Sequence, residues 1–280
     1  MTTVETPTTR PTTARPTLTH EVPTGPVWLW RDSWTEALRH LRAVPRDPEL
    51  LIFATIQPIM FVLLFVYVFG GSIEVPGYDS YTQYLVPGVF AQTVLFGSAF
   101  TGVGIAEDLS KGMIDRLRSL PMTQSAVLIG RTMSDLLRNV FTFVVMFVVG
   151  YAVGFRIEGS IGGAIGATLL LLGFAYAFSW IQVLIGLSVK SVEAANSAGF
   201  IWMFPLTFLS SAFVSTENMP DWLQTAADLN PFTKLTNASR ALYNGMDPGS
   251  DLWIAIAWAV GITIVFAFLG ARKFARTASR

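Results

Sequence analysis

The ionisable residues with the most regular spacing lie near the middle of the chain. Arg131, Asp135 and Arg138 stand at i, i+4 and i+7, which on a helix places one carboxylate within reach of two guanidinium groups. The chemistry that this spacing supports is ion pairing along a helix face. No triad, paired-carboxylate set or metal-ligand set stands out in the sequence. We therefore expect charged structural contacts, and no catalytic residues and no metal site.

A second charged segment precedes this trio, at residues 107–121. Its apolar positions fall on one helical stripe beside Arg116 and Arg118. A short amphipathic helix of this kind inserts into a groove of a partner protein and transmits force. An ordinary solvated loop is the alternative, and the segment alone does not decide between them. The candidate contact residues are Glu107, Gly112, Met113, Asp115, Arg116, Leu117, Arg118 and Pro121.

Nucleotide and metal chemistry have little support in this chain. The pattern G-x-x-x-x-G-K-[ST] does not occur, so the polypeptide carries no recognisable phosphate-binding loop. The absence of cysteine excludes thiolate zinc sites and iron–sulfur clusters. The two histidines, His20 and His40, lie far apart in the polar N-terminal part.

The composition indicates that lipid surrounds much of the chain. Of the 280 residues 52% are hydrophobic and 14% are charged, and the mean hydropathy is +0.50. A soluble domain carries about 25% charged residues. Six apolar segments are long enough to cross a bilayer, which takes about 20 residues. They cover about residues 50–69, 84–106, 125–155, 161–189, 195–214 and 252–271, so we predict an all-α integral membrane protein with six transmembrane helices.

The basic residues predict the orientation. With six spans, nearly all of the 19 Lys and Arg residues fall on the side that holds both ends of the chain. The other side receives only Arg156, Lys234 and Arg240. By the positive-inside rule both termini are cytoplasmic. We expect a multi-pass protein of the plasma membrane, in a bacterial cell.

The N-terminal part divides into a tail and a helix. Residues 1–26 are rich in Thr and Pro and lack an apolar run, which predicts a disordered cytoplasmic tail. Residues 27–280 are expected to form one membrane domain. It begins with an amphipathic helix at 27–45 that lies in the membrane interface, although a soluble helix packed on a partner is the alternative. The interfacial contacts are assigned to Trp30, Arg31, Trp34, Arg39 and Arg42.

The connection between the fifth and sixth spans is predicted to contain two short helices. A helix begins near Pro220, Asn230-Pro231 breaks it, and a second amphipathic segment ends at Gly245. Two helices with apolar faces can dip back into the outer leaflet if protein or water covers their backbone. A plain surface loop is the alternative. The residues that mark this external re-entrant region are Pro220, Trp222, Asn230, Pro231, Arg240 and Gly245.

The centres of the spans hold almost no ionisable residues. Ion-coupled transporters use membrane-buried charges or broken-helix ion sites, so this pattern indicates energy supplied from outside the membrane. The main polar residues of the spans are Gln57, Gln92, Thr93, Ser179 and Gln182. An aromatic lining suits a lipophilic cargo, although each aromatic residue alone is better explained by lipid contact or helix packing. The residues concerned are Phe61, Phe65, Phe90, Phe96, Phe100, Phe174, Phe178, Trp202, Phe204 and Phe208.

Two motifs carry a resemblance to a known family. The first is Glu107-x4-Gly112-x3-Arg116-Leu-Arg118-x2-Pro121, and the second is Met219-Pro220-Asp221-Trp222-Leu223 followed by Asn230-Pro231, Arg240 and Gly245. In this order they resemble the permease subunit of the ABC-2 type transporter family, particularly the daunorubicin-resistance-type drug exporters. The likeness covers about residues 28–275. The tail has no counterpart in the family pattern.

The resemblance implies a type V exporter-like fold and a set of partners. Such permeases pair with a second permease copy or homologue and bind two ATP-binding-cassette ATPase subunits, which hold the ATP and Mg. This chain would then need no cofactor and would not be an enzyme by itself. Residues 113–120 would form the cytoplasmic coupling helix, the helix at 27–45 the connecting helix, and the region at 219–245 a cap over the external end.

The expected function is ATP-driven export of a lipophilic drug or lipid-like molecule, in contact with membrane lipid and without a nucleic-acid partner. Three alternatives remain open at this point. In the first alternative, the chain is a permease that exports a cell-envelope glycan or glycolipid. The chain is an ion-coupled secondary transporter or channel in the second, and a non-transporting membrane scaffold in the third.

Overall fold

The structure is a computed structural model, which describes residues 48–70, 73, 75–113 and 124–277. Within these ranges all regular secondary structure is helical, which confirms the all-α prediction. The predicted tail at 1–26 and interfacial helix at 27–45 lie outside the described residues, with Trp30, Arg31, Trp34, Arg39 and Arg42. So do residues 114–123, which hold Asp115, Arg116, Leu117, Arg118 and Pro121.

Nine α-helices occur in the described ranges. They are α1 (Pro48–Leu63), α2 (Tyr81–Gly97), α3 (Ala99–Ser110), α4 (Gln124–Ala152), α5 (Ile161–Gly186), α6 (Val192–Phe208), α7 (Asp221–Leu229), α8 (Pro231–Tyr243) and α9 (Gly249–Thr277). A π-helical turn at Leu64–Phe69 continues α1, and a 3-10 turn at Thr216–Asn218 precedes α7.

Four stretches of helix in the described part are long and apolar enough to cross a membrane. They are Tyr81–Ser110, which joins α2 and α3, Leu128–Ala152, Ile161–Gly186 and Gly249–Arg276. The apolar part of α1 with its π-helical turn, Thr55–Phe69, is shorter. The fifth predicted segment forms α6, which has 17 residues. The chain is thus a multi-pass membrane protein, and the count of six spans stays a prediction.

Serine side chains begin three of these helices. The hydroxyl of Ser80 accepts a hydrogen bond from the backbone N–H of Gln83 at 3.3 Å at the start of α2. Ser160 does the same for α5, from Gly163 at 3.0 Å. Ser191 caps α6 in the same way. Each cap satisfies a backbone donor that the first helical turn leaves without a partner.

The core of the bundle is built around α2. Nearly every side chain of α2 is buried, because α1, α4, α5 and α8 all pack against it. In contrast α9 packs on α5 and α8 with one face only, and 11% of its most apolar stretch is buried. Trp253 and Phe268 on α9 are 71% and 63% exposed. Such a large apolar surface on the last helix is the face expected to meet lipid.

At one end of the bundle, buried Arg240 on α8 connects α2 with the segment after α6. Its Nε donates to the carbonyl oxygen of Tyr84 at 2.8 Å, and its Nη2 donates to that of Ser211 at 2.7 Å. The guanidinium lies 3.6 Å from the centre of the Tyr84 ring. Burial raises the pKa of the nearby Tyr78 phenol, although the Arg240 charge opposes that shift. A buried guanidinium is tolerated here because carbonyl oxygens and an aromatic face replace its water.

The predicted external region forms a surface helix and a buried helix. Pro220 directly precedes α7, whose Trp222 is 73% exposed, whereas most of α8 is buried. Between them Asn230 donates through Nδ2 to the carbonyl oxygen of Leu206 at 2.7 Å, which ties the break to α6. The chain then leaves α8 at Gly245, whose φ of +72° favours glycine. Insertion of this pair into a membrane leaflet stays a prediction.

Replacing Arg240 with Met is expected to lower the free energy of unfolding by about 3 kcal/mol, because buried carbonyl oxygens lose a charged donor. Lys111→Met is the control, since Lys111 also pairs with an acid, Glu107, but the two side chains are 64% and 48% exposed. The control should change stability by less than about 1 kcal/mol. Equilibrium unfolding in mixed detergent–SDS micelles measures the free energy of unfolding of both variants. Equal decreases would contradict a stabilising role for the buried hydrogen bonds of Arg240.

Candidate functional site

A network of buried charges occupies the end of the bundle opposite Arg240. Nη1 of Arg131 on α4 lies 3.2 Å from Oδ2 of Asp108 on α3, and its Nε lies 3.3 Å from Oδ2 of Asp135. The other oxygen of Asp135 lies 2.8 Å from Nη2 of Arg138. We call Asp108, Arg131, Asp135 and Arg138 the α4 charge network. The side chains of Asp135 and Arg138 are 3% and 9% exposed, so the charges neutralise one another away from water.

The network joins α3 to α4 at close range. Gly104 permits this approach, because a Cβ atom there would overlap the guanidinium of Arg131. The pairing of Arg131, Asp135 and Arg138 follows the helical spacing in the sequence. The link to Asp108 was missed, because it joins two helices across 23 positions and no local pattern reports it.

The described part of the predicted partner-contact segment begins beside this network. Glu107 precedes Asp108 and pairs with Lys111 at 2.5 Å, with both side chains about half exposed or more. Gly112 follows the end of α3 with a φ of +63°, and Met113 is partly exposed. The residues that we assigned to partner contact therefore continue from the helix that carries Asp108.

A cavity of about 90 Å³ lies between α1, the α2–α3 pair and α6. We call it the Gln92 cavity; it is lined by Gln57, Pro58, Gln92, Thr93, Phe96, Gly97, Phe100 and Phe200. The hydroxyl of Thr93 donates to the carbonyl oxygen of Val89 at 2.8 Å. Gln92 is 1% exposed, and neither Oε1 nor Nε2 has a hydrogen-bond partner within the described part of the chain.

The wall of this cavity touches α4 beside the charge network. The guanidinium of Arg138 lies 4.7 Å from the centre of the Phe100 ring. One turn earlier, Gly97 leaves room for Asn139, whose Oδ1 would overlap a Cβ atom at that position. A shift of Arg138 would therefore act directly on Phe100, which lines the cavity.

A row of phenylalanine rings leads from the cavity towards the Arg240 end. Successive ring centres are 5.5 Å apart between Phe96 and Phe204, 6.0 Å between Phe204 and Phe208, 5.5 Å between Phe208 and Phe213, and 5.0 Å between Phe213 and Phe65. We call these five rings the phenylalanine ladder. Phe204 and Phe208 are 42% and 49% exposed, so the ladder presents an open aromatic face.

The sequence did not distinguish aromatic residues that line a cavity from those that pack in the core. Phe90, Phe174 and Phe178 are at most 1% exposed and belong to the core. Of the aromatic residues proposed as lining, Phe96 and Phe100 border the cavity and Phe204 and Phe208 belong to the ladder. No group of three or more His, Cys, Asp or Glu residues able to hold a metal ion occurs among the described residues.

Asp135→Asn is expected to lower the free energy of unfolding by about 3–5 kcal/mol, because it leaves two buried arginines without their shared counter-charge. Glu107→Gln makes the same chemical change in a solvated pair and should cost less than about 1 kcal/mol. Unfolding in mixed micelles compares the two variants. A similar decrease in the free energy of unfolding in both variants would show that burial of the α4 charge network does not increase its contribution to stability.

Comparison with known proteins gives a consistent match. Residues 33–244 match the family described as ABC-2 type transporter. Over 240 residues the chain is 34% identical to the daunorubicin resistance ABC transporter permease protein DrrB1 of Streptomyces coeruleorubidus, covering 86% of this chain and 84% of that protein. It is 26% identical to a probable doxorubicin resistance ABC transporter permease protein, DrrC, of Mycobacterium tuberculosis, covering 79% and 80%.

A third relative matches over a shorter stretch. The chain is 25% identical over 164 residues to the probable multidrug ABC transporter permease YbhR of Escherichia coli, covering 58% of this chain and 44% of that protein. The family match spans both motifs on which the resemblance was based, at 107–121 and at 219–245 up to residue 244. The resemblance is therefore confirmed: the chain belongs to the ABC-2 type transporter family.

Proposed function

We propose that this chain is the membrane-spanning permease subunit of an ATP-driven exporter that moves a lipophilic drug or lipid-like molecule outward. Permeases of this family imply ATP-binding partner subunits, and three relatives are named for drug or multidrug transport. The structural observation that carries the proposal is a continuous series of contacts. It runs from Asp108 through Arg131, Asp135 and Arg138 to Phe100 in the wall of the Gln92 cavity.

In this proposal two ATP-binding-cassette subunits hold the ATP and Mg and contact residues 113–120. A displacement of that segment moves the end of α3, because the segment follows it directly. The Asp108–Arg131 pair passes the movement to α4, since it joins the two helices at 3.2 Å and its side chains are only 23% and 14% exposed. Arg138 then moves against Phe100 and changes the shape of the cavity. Alternating access between two permease copies completes the cycle.

The proposed topology places the charge network in the cytoplasm-facing half and Arg240 at the external end. α1 and α6 cross together with the four longer stretches, which gives six spans and two cytoplasmic termini. Residues 27–45 lie in the interface through Trp30 and Trp34, and residues 1–26 form the cytoplasmic tail. The helices α7 and α8 cap the external end. The basic residues support this orientation through the positive-inside rule.

The geometry also bears on the alternatives. A wide aromatic-lined groove would favour a glycan exporter, whereas the Gln92 cavity has a volume of only about 90 Å³. An ion-coupled transporter would use a carboxylate within a span, and Asp135 is such a residue. Its two carboxylate oxygens are engaged by Arg131 and Arg138, so it serves as the shared partner of a structural ion-pair network.

Arg116→Glu combined with Arg118→Glu is expected to abolish drug efflux while ATP hydrolysis by the partner subunits continues, because the contact that links the two activities carries the wrong charge. Arg10→Glu with Arg15→Glu makes the same charge change in the tail and should leave efflux intact. Efflux and ATPase activity are measured in cells and membranes that contain the permease with its ATP-binding subunits. Unchanged efflux in the Arg116→Glu, Arg118→Glu variant would show that residues 113–120 do not couple ATP hydrolysis to transport.

Reconstituted complex is expected to transport daunorubicin in proteoliposomes only with ATP and the partner subunits. A proton or sodium gradient without ATP should give no transport, because the buried carboxylate is already neutralised by arginine. Uptake is followed by the fluorescence of the drug. Gradient-driven transport by the permease alone would replace this proposal with the secondary-transporter alternative.

A further inference from the structure

We propose that the Gln92 cavity binds an uncharged hydrogen-bonding group, a hydroxyl or carbonyl, of an aromatic cargo whose rings lie on the phenylalanine ladder. The inference rests on the proposed function, because it assigns the cargo site of the same exporter. It depends on four observations: an unpaired amide, the size of the cavity, the charges near it, and the aromatic rings beside it.

The unpaired amide is the first observation. Within the described residues Gln92 lacks a hydrogen-bond partner at both amide atoms, whereas Asn139, Gln182 and Asn244 each lack one at a single atom. A buried polar group without a partner is costly, and more so in a membrane than in a soluble protein. An apolar residue would fill this position at lower cost. We infer that the amide is kept for a ligand, since polar residues within spans mark functional positions.

The size of the cavity limits what can enter. A volume of about 90 Å³ holds roughly three water molecules. It takes one polar end group and excludes a whole drug molecule. The remainder of the cargo must then lie outside the cavity. Phe96 and Phe200 line the cavity with ring centres 5.7 Å apart, and Phe96 is also the first ring of the ladder.

The charge pattern selects an uncharged group. The polar side chains that line the cavity, Gln57, Gln92 and Thr93, are all neutral. A positive charge lies behind the cavity wall, because Arg138 packs against Phe100 and is paired with Asp135. A cationic group in the cavity would approach Arg138 without a carboxylate of its own. An amide offers both a donor and an acceptor, which suits a hydroxyl or a carbonyl.

The cavity lies beside exposed side chains of α1 and α6. Met60 lies three positions from Gln57 on α1, and Phe204 lies four positions from Phe200 on α6, so each occupies the same helix face as a lining residue. Met60 and Phe204 are 58% and 42% exposed. A molecule that approaches the exposed side of α1 and α6 therefore meets the ladder first and the amide second.

The test compares Gln92→Met with Gln182→Met in the full-length permease in lipid nanodiscs. Methionine keeps an unbranched chain of similar length and removes the amide. Gln182 is also buried in a span, where it contacts Met203, and it does not line the cavity. The probes are daunorubicin, which carries hydroxyl and carbonyl groups, and anthracene, an aromatic hydrocarbon with neither. Binding is measured by fluorescence titration without nucleotide.

We expect Gln92→Met to weaken daunorubicin binding by about threefold to tenfold, the loss of one hydrogen bond, and to leave anthracene binding unchanged. Gln182→Met should bind both probes as the unmodified chain does. The apparent Tm of Gln92→Met should stay equal or rise, because two buried atoms without partners are removed. A purely structural role for Gln92 predicts the opposite shift in Tm.

Unchanged daunorubicin binding in Gln92→Met, or an equal loss for both probes, would overturn the inference. The proposed function is judged separately in proteoliposomes. ATP-driven daunorubicin transport together with unchanged binding in Gln92→Met would refute the site and keep the exporter. Binding that depends on Gln92 together with gradient-driven transport would keep the site and refute the exporter.

Discussion

The structure depends on the requirement that a polar group buried in a lipid-surrounded bundle finds its partners within the protein. Two arginine clusters meet this requirement at opposite ends. Arg240 is held by backbone carbonyl oxygens and the ring of Tyr84, and Asp135 is held between Arg131 and Arg138. Each cluster joins elements that are distant in the sequence. The helices are therefore linked at both ends of the bundle and cannot slide independently there. Gln92, between them, finds no hydrogen-bond partner among the described residues, which is the observation behind the proposed cargo site.

The region between the clusters is held by different interactions. Aromatic and aliphatic contacts between α1, α2 and α6 are individually weak and have little directional preference, so they allow small shifts without breaking a specific bond. The phenylalanine ladder lies in this region, and two of its rings are about half exposed. In the proposed exporter the charge pairs would transmit force from the partner subunits. The aromatic face beside them would adapt to cargo of variable shape.

The features that were predicted correctly from the sequence depend on residues close together in the chain. The break at Asn230-Pro231 falls between α7 and α8, and the trio on α4 pairs as its spacing indicated, because both depend on residues within two helical turns. Contacts across the fold were not predictable in this way. The Arg240–Tyr84 hydrogen bond spans 156 positions. Helices that are apolar on all sides carry no periodic signal for their packed face, so Phe90 and Phe204 looked alike in the sequence but differ in burial.

The unequal lengths of α6 and α9 have a consequence for the bilayer itself. At 1.5 Å per residue, the 17 residues of α6 reach about 26 Å, whereas the 28 residues of Gly249–Arg276 reach about 42 Å. The hydrocarbon layer is about 30 Å thick, so α9 is long enough to tilt within it or extend past it, whereas in the proposed six-span topology lipid would have to compress beside α6. In that topology the two flanks of the chain would impose opposite hydrophobic mismatch on the lipid around them. The thinner lipid would then lie on the flank that carries Phe200 and Phe204 of α6.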